Sequence, residues 1–333
     1  MLKPAQVLVT LVSLLLAFSG HYCSNAASPL QVGFYQGKCG ANADVEEIVA
    51  GAVKAHFASD PTITAALLRL HFHDCFLNGC DASILLDGDD SEKTADTNIG
   101  LRGFDFIDAV KETLEATCPG VVSCADIIAL ATRDAVALAG GPMYKAETGR
   151  RDGNVSRAEL VDENIPPPDI SVAESIQLFQ SKGVDHVDMT YLLGAHTVGV
   201  ANCSFFQYRL YDFNGTGQPD PTMSPDLVTS LRSRCPKDAT FENAANLDQN
   251  RTSIFTVDNS YYNQLKMHRG VLQIDQELTS HPNTTGIVDI AAESTTDFQN
   301  LFSSAMVNLG AVEVLTGSQG EIRTFCRAVN AKN

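Results

Sequence analysis

Apolar residues recur with helical spacing over most of the chain. In the segment "DVEEIVAGAVKAHFA" they repeat every three or four residues, at Val45, Ile48, Val49, Ala52, Val53 and Phe57. This spacing places them on one face of a helix. Asp44 is the predicted N-cap of this helix. Asp60 precedes Pro61, which is predicted at the first position of the next helix.

About nine segments have this helical pattern, and few stretches alternate with the period of a strand. The other eight are "DPTITAALLRLHFHDC", "GFDFIDAVKETLEATC", "SCADIIALATRDAVALAGG", "SVAESIQLFQSKG", "DHVDMTYLLGAH", "SPDLVTSLRSRC", "NSYYNQLKMHRG" and "TDFQNLFSSAMVNLG". The predicted fold class is therefore mainly α. Three consecutive prolines at 166–168 cannot continue a helix, so they are the predicted boundary between two lobes, residues 28–165 and 166–333.

Residues 1–27 have the layout of a cleaved signal peptide. Lys3 precedes an apolar run from Val7 to Phe18, and small residues follow it. The run is shorter than the roughly 20 residues of a membrane-spanning helix. Export without a membrane span is predicted. Only seven residues follow Cys326, so no extended sorting tail is expected, and the cell wall or apoplast is the predicted location.

Charge and cysteine content narrow the function classes. Loss of Lys3 with the signal peptide takes the formal net charge of the 333-residue chain from -17 to -18, which disfavours nucleic acid and anionic membranes as partners. Loss of Cys23 leaves eight of the nine cysteines, an even number that favours four disulfides in an exported chain. Five glycosylation sequons, expected at the surface, begin at Asn154, Asn202, Asn214, Asn250 and Asn283.

The segment "LLRLHFHDCFLNGCDAS" concentrates polar chemistry. Arg69 and His73 lie one helical turn apart, which suits a proton shuttle beside a permanent cation. Taken alone, such a pair is more often a core histidine and a surface arginine. The oxygen donors that follow favour a Ca²⁺ site; they are Asp74, Asp81 and Ser83. A zinc site is the alternative, with His71, His73, Cys75 and Cys80 as its ligands, although export favours oxidised cysteines.

A second histidine stands in "YLLGAHTVGVANC". His196 lies near the end of an apolar helix, and Gly194 and Gly199 keep its surroundings small. An imidazole presented in this way can meet a large flat cofactor. Taken alone, it is more often a core residue.

Motifs along the mature chain resemble those of the secreted plant haem peroxidases, often called class III. They occur in order from the first lobe to the second: "GFYQGKC", "LLRLHFHDCFLNGCDASILLD", "EKTADTN", "LRGFDFID", "VSCADIIALATRDAV", "GRRDG", "LLGAHTVGVANC", "DPTM", "VDNSYY", "GVLQIDQEL" and "GEIRTFCRAVN". The resemblance implies a two-lobed helical fold with one haem b between a distal and a proximal lobe.

The same resemblance implies roles for individual residues. His196 matches the proximal iron ligand and Asp275 the carboxylate that accepts its N–H. On the distal side, His73 matches the acid–base residue and Arg69 the cation that stabilises the charge of the departing oxygen. Two further matches are Asn98, which hydrogen-bonds His73, and Phe72, which keeps bulky donors away from the iron.

Two Ca²⁺ sites are also implied by the resemblance. The matched distal ligands are the side chains of Asp74, Asp81 and Ser83, the carbonyls of Leu77 and Gly79, and Glu92 through water. The matched proximal ligands are Thr197, Asp248, Thr252 and Asp258. The loop "LDQNRTSIFTVDN" lacks the proline common in the family and is slightly longer, so Ser253 is an alternative to Thr252.

The family pattern further implies four disulfides: Cys39–Cys118, Cys75–Cys80, Cys124–Cys326 and Cys203–Cys235. The expected substrates are hydrogen peroxide and small phenols, which would give up single electrons near Pro166 and Phe205. Roles in lignin or suberin formation, wall cross-linking, auxin turnover and oxidative stress are expected of a monomeric enzyme of this kind. A wall-binding structural glycoprotein that depends on Ca²⁺ is the alternative from another class.

Overall fold

All nine predicted helices form in the computed structural model, which describes residues 30–40, 43–238 and 243–331. They are α1 (Val45–Ser59), α2 (Ile63–Asn78), α3 (Phe104–Thr117), α4 (Cys124–Leu138), α6 (Val172–Ser181), α7 (His186–Leu193), α9 (Pro225–Arg234), α10 (Ser260–Lys266) and α13 (Thr295–Leu309). Four more α-helices occur in these ranges: α5 (Val161–Asn164), α8 (Gln207–Tyr211), α11 (Gln273–Glu277) and α12 (Thr285–Glu293). The mainly α fold class is confirmed. The predicted signal peptide, residues 1–27, lies outside the described residues.

The predicted helix starts are right for α1 and wrong for α2. The Asp44 carboxylate accepts the backbone N–H groups of Glu46 and Glu47 at 2.8 and 3.2 Å, as an N-cap does. Helix α2 begins at Ile63 rather than at Pro61. Residues 60–63 instead form a turn, in which the Ile63 N–H donates to the Asp60 carbonyl at 3.2 Å.

The described residues contain one small sheet, which lies next to the second histidine motif. It pairs β1 (Val200–Asn202) with β2 (Ala244–Asn246) in antiparallel register, with Val200 opposite Asn246. Between α7 and β1 the chain makes a 3₁₀ turn, Gly194–Thr197, which carries His196. The turn and the strand fix the position of this histidine at a helix end.

The core places both histidine motifs in the interior. Helix α2 packs against α4, which also covers α1 and α3, while α7 packs against α13. Helix α2 buries residues on every side, among them His71, His73 and Asp74. It also contacts the turn Gly194–Thr197, so the two motifs lie in neighbouring elements.

All four predicted disulfides are present: Cys39–Cys118, Cys75–Cys80, Cys124–Cys326 and Cys203–Cys235. The zinc alternative is therefore wrong, because Cys75 and Cys80 are bonded to each other and have no thiolate to offer. The proline run lies between α5 and α6. The division into two lobes at this run stays a prediction. None of the helices in the described ranges is long and apolar enough to span a membrane.

Candidate active site and cation sites

A chain of hydrogen bonds sets the tautomer of His73. The Asn98 side-chain NH₂ donates to the Glu92 carbonyl at 2.7 Å, so its oxygen faces the other way. That oxygen lies 2.6 Å from His73 Nδ1, which must therefore carry the proton and donate it. The Nε2 atom is therefore unprotonated, and its lone pair accepts a hydrogen bond from Arg69 Nε–H at 3.3 Å. His73 is thus oriented as a base.

Arg69 lies beside this lone pair. Its Nε is 3.3 Å from His73 Nε2, and its Nη2 donates to the Thr97 carbonyl at 2.9 Å. Burial, reinforced by the Arg69 charge, lowers the pKa of His73 to about 3, although the hydrogen bond that His73 donates to Asn98 acts in the opposite direction. His73 is consequently neutral at physiological pH and able to accept a proton. Phe72 next to it stacks on Phe76, with ring centroids 4.7 Å apart.

His196 is held by a buried carboxylate. Its Nδ1–H donates to Asp275 Oδ1 at 2.8 Å, and the Tyr261 hydroxyl donates to the same oxygen at 2.8 Å. Burial alone would lower the pKa of His196, but the Asp275 carboxylate outweighs it and the net shift is upward. No hydrogen bond from the described residues reaches Nε2. An imidazole with one nitrogen anchored and the other free fits an iron ligand.

The two histidine motifs face a common space. Arg69 is close enough to His196 to oppose its protonation electrostatically. A cavity of about 200 Å³ reaches Arg69 between α2 and the segment before β1. Gly199 has φ +92°, and a Cβ there would lie 3.0 Å from the Ala65 side chain. Only glycine allows this close approach with this backbone conformation.

The predicted distal Ca²⁺ ligands include buried oxygens that lack hydrogen-bond partners. Both oxygens of Asp74, Ser83 Oγ and Glu92 Oε2 are buried with no hydrogen-bond partner of normal geometry in the described residues. Burial, then the neighbouring Asp81 and Glu92, raises the pKa of Asp74 well above its usual range. Burial raises the pKa of Glu92 to about 8. Mutually repelling carboxylates with unpartnered oxygens fit a divalent cation.

The predicted carbonyl ligands differ in their surroundings. The Leu77 carbonyl accepts a hydrogen bond from Lys182 Nζ at 2.8 Å, which leaves one lone pair for a cation. Gly79 has φ +87°, and a side chain there would collide with the Glu313 backbone. The Asp81 carbonyl accepts the Gly153 N–H at 2.7 Å, and a Cβ on Gly153 would collide with the Asp81 carboxylate. The backbone around the distal donors is tightly enclosed.

The proximal donors fall into two groups. Thr197 Oγ1 lies 3.2 Å from Asp258 and 3.3 Å from the Thr256 carbonyl. Ser253 Oγ lies 3.2 Å from Asp248. The Thr252 hydroxyl instead donates to the Asn250 side chain at 2.8 Å, so Ser253 is the side chain that faces Asp248.

No group of three or more His, Cys, Asp or Glu side chains in the described ranges forms a metal site by itself. Each cation site would therefore also need hydroxyl, carbonyl or water oxygens, as Ca²⁺ commonly uses. Pro166 and Phe205 are both partly exposed, and neither lines the cavity at Arg69. Sequence reasoning missed Tyr261, which stands in the motif "VDNSYY" in the first turn of α10, and the Thr256 carbonyl, which carries no side-chain signal.

The fold and this site are typical of haem-dependent oxidoreductases. A family model described as Peroxidase matches residues 49–294. Among curated relatives, Peroxidase 57 of Arabidopsis thaliana is 52% identical over 305 residues, covering 92% of this chain and 94% of that protein. Peroxidase 28 and Peroxidase 60 of the same plant are 49% and 47% identical, covering 92% and 98% of this chain and 94% and 97% of their own lengths.

The chain belongs to the plant peroxidase family, in the class III group that its motifs resemble. It is a haem peroxidase, which uses hydrogen peroxide to oxidise donor substrates. Members of this family generally carry haem and calcium and are generally secreted. The free Nε2 of His196 and the unpartnered oxygens of Asp74 fit these two kinds of group.

Proposed function

We propose that His73 and Arg69 carry out the reaction with hydrogen peroxide and that His196 binds the haem iron. The observation that carries this proposal is the hydrogen-bond chain from Glu92 through Asn98 to His73, which leaves Nε2 as a neutral base beside Arg69. When bound, haem supplies the iron that takes the oxidising equivalents of peroxide and passes them to donors one electron at a time.

The side chains transfer protons and stabilise charge near that iron. His73 Nε2 accepts a proton from the bound peroxide and returns it to the departing oxygen, which leaves as water. The Arg69 guanidinium stabilises the negative charge that develops on that oxygen. Asn98 holds His73 in the required tautomer. Asp275 accepts the His196 N–H and so makes the imidazole a stronger electron donor.

We assign the cofactors as one haem b and two Ca²⁺ per chain. The distal Ca²⁺ would be held by Asp74, Asp81 and Ser83, by the carbonyls of Leu77 and Gly79, and by Glu92 through water. The proximal Ca²⁺ would be held by Thr197, Asp248, Asp258 and, in place of the Thr252 hydroxyl, Ser253. The unpartnered Asp74 oxygens and the contact between Ser253 and Asp248 support these sets.

The proposed donors are small phenols, oxidised at an edge formed by Pro166 and Phe205. Both residues are partly exposed, as an open substrate edge requires. The proposed setting is the apoplast or cell wall, where the enzyme would act as a monomer in lignin or suberin formation, wall cross-linking, auxin turnover or the response to oxidative stress. The four disulfides support an extracellular location.

Replacement of His73 by Ala tests the acid–base role. The variant should bind haem, as judged by its Soret band, and should react with peroxide about 10²–10⁴ times more slowly, because the proton shuttle is gone. His71→Gln is the matched control, since His71 lies on the same helix and is also buried but contacts Cys75 Sγ at 3.6 Å instead of Asn98. Equal peroxide rates in His73→Ala and the wild type would remove the role given to His73.

A further inference from the structure

Two side chains share one oxygen of Asp275. His196 Nδ1 and the Tyr261 hydroxyl each lie 2.8 Å from Oδ1. The two rings meet edge to face with their centroids 6.1 Å apart. Tyr261 is 2% exposed, so water does not compete for its hydroxyl. The Tyr261 phenol is therefore hydrogen-bonded to a carboxylate and lies next to the proposed iron ligand.

The next residue provides an internal comparison. Tyr262 is also buried, and its ring centroid lies 4.9 Å from that of Tyr261. Its hydroxyl, however, donates to the neutral Thr190 carbonyl at 3.0 Å. The two tyrosines share burial and location, but only Tyr261 has a basic hydrogen-bond acceptor.

We propose that Tyr261 is a redox-active tyrosine. When hydrogen peroxide has oxidised the haem site and no phenolic donor is present, Tyr261 gives one electron to that site. The proposal rests on the assignment of His196 as the iron ligand. One electron passes from the Tyr261 ring to the oxidised site, and the phenolic proton passes to Asp275. The O–H bond of Tyr261 breaks and an O–H bond forms on the carboxylate. The products are a neutral tyrosyl radical and a haem site reduced by one equivalent; the oxidant is hydrogen peroxide.

The acceptor decides which tyrosine gives up its electron. A phenol that loses an electron becomes a strong acid, so oxidation is easiest where a base already holds its proton. Asp275 is such a base for Tyr261, whereas a peptide carbonyl takes no proton from Tyr262. The chain has no tryptophan, so an aromatic radical formed in this protein falls among its tyrosines, of which the full sequence has eight, including Tyr22 in the predicted signal peptide.

Electron paramagnetic resonance of the frozen holoenzyme tests this assignment. The protein is mixed with one equivalent of hydrogen peroxide, without a phenol, and frozen within the lifetime of the oxidised haem. A tyrosyl signal that narrows on ring-deuterated tyrosine is expected in the wild type and in Tyr262→Phe. The signal should disappear in Tyr261→Phe. In the same variant, the donor-free return of the haem spectrum to its resting form should slow several-fold.

Three results would overturn the proposal: no tyrosyl signal in the wild type, a signal that survives in Tyr261→Phe, or one lost only in Tyr262→Phe. The absorption spectrum of the resting protein distinguishes failure of this inference from failure of the proposed function. A protein that binds haem through histidine and reacts with peroxide yet forms no radical at Tyr261 refutes this inference alone. A protein whose iron is not bound by His196 refutes the proposed function.

Discussion

His71 and His73 lie two residues apart on α2, and their surroundings differ. The pKa of both is lowered to about 3, mainly by burial. His73 is held by Asn98 and Arg69, whereas His71 contacts the sulfur of Cys75. A helix places such neighbours on different faces. Position along α2 therefore decides which histidine meets Asn98 and Arg69 and which one packs against Cys75.

The buried His71 should make the fold sensitive to acid. Burial, then the nearby Arg150 charge, lowers its pKa to about 3 from 6.5. Between these values the unfolded chain binds the extra proton, so stability is fully present above about pH 6.5 and falls with pH by up to about 1.4 kcal/mol per unit. Between about pH 6 and 4, the free energy of unfolding measured with urea should fall less steeply with decreasing pH in His71→Gln than in the wild type. Equal slopes in the two proteins would contradict this account.

The Asp275 carboxylate should set the redox potential of the bound iron. In Asp275→Asn the His196 imidazole donates less charge to the metal, so the Fe(III)/Fe(II) potential should become more positive and peroxide turnover should fall roughly 10- to 100-fold. Spectroelectrochemical titration measures the first effect. The exposed Asp289, paired with Lys266 at 2.8 Å, provides a control as Asp289→Asn. An unchanged potential in Asp275→Asn would show that the hydrogen bond to His196 leaves the iron unaffected.

At the scale of elements, the hydrophobic pattern predicted the long helices and missed the short ones. Helices α5, α8 and α11 have only four or five residues, fewer than the pattern needs to repeat. Helix α12 begins inside the sequon at Asn283, where Pro282 and Thr284 resemble a loop. Such helices are stabilised by tertiary packing rather than by their own residues.

The site was predictable where a motif carries its residues close together in the chain. Arg69, His73 and Asp74 fall within two turns of α2, and Asn98 comes shortly after them. The role of Ser253 was not predictable, because the choice between it and Thr252 depends on how the loop turns toward Asp248. Tyr261 was missed because its partner Asp275 lies in another helix.

Gly79 should be required at the end of α2. Its φ of +87° and the Glu313 backbone beside it exclude a side chain, so Gly79→Ala should destabilise the protein by more than about 1 kcal/mol and weaken Ca²⁺ binding. Thermal melting and calcium titration measure the two effects. Gly51→Ala is the matched control, because this exposed position inside α1 has open space around it and should gain roughly 0.5–1 kcal/mol. Equal melting temperatures for the two variants would refute the requirement.

At the scale of the molecule, the segment around residues 320–330 packs next to the predicted distal Ca²⁺ ligands. Cys326 is bonded to Cys124 across 202 residues. The fully buried Arg323 donates to the Ala82 carbonyl at 2.6 Å and to the Cys326 carbonyl at 2.7 Å. Ala82 lies between the predicted ligands Asp81 and Ser83. The distal donors are thus held in place by residues far along the chain.

Removal of this bridge should weaken both the fold and the distal site. The double variant Cys124→Ala/Cys326→Ala should lose roughly 2–5 kcal/mol of stability, because the bridge closes a long loop in the unfolded chain. Calcium affinity should also fall, since Arg323 is less firmly held. Denaturant unfolding and calcium titration test both effects. Removal of Cys203–Cys235, which closes only 32 residues, should leave the distal affinity unchanged; a loss of affinity in both variants would show that Arg323 is not the link.

The same long-range bridge orders the events of biosynthesis. During synthesis the donors Asp74 to Ser83 leave the ribosome well before Arg323 and Cys326, although they need these residues as neighbours. The Cys124–Cys326 bond can therefore form only after nearly the whole chain has been made, and until then Asp81 and Ser83 lack the neighbours that hold them in the folded protein.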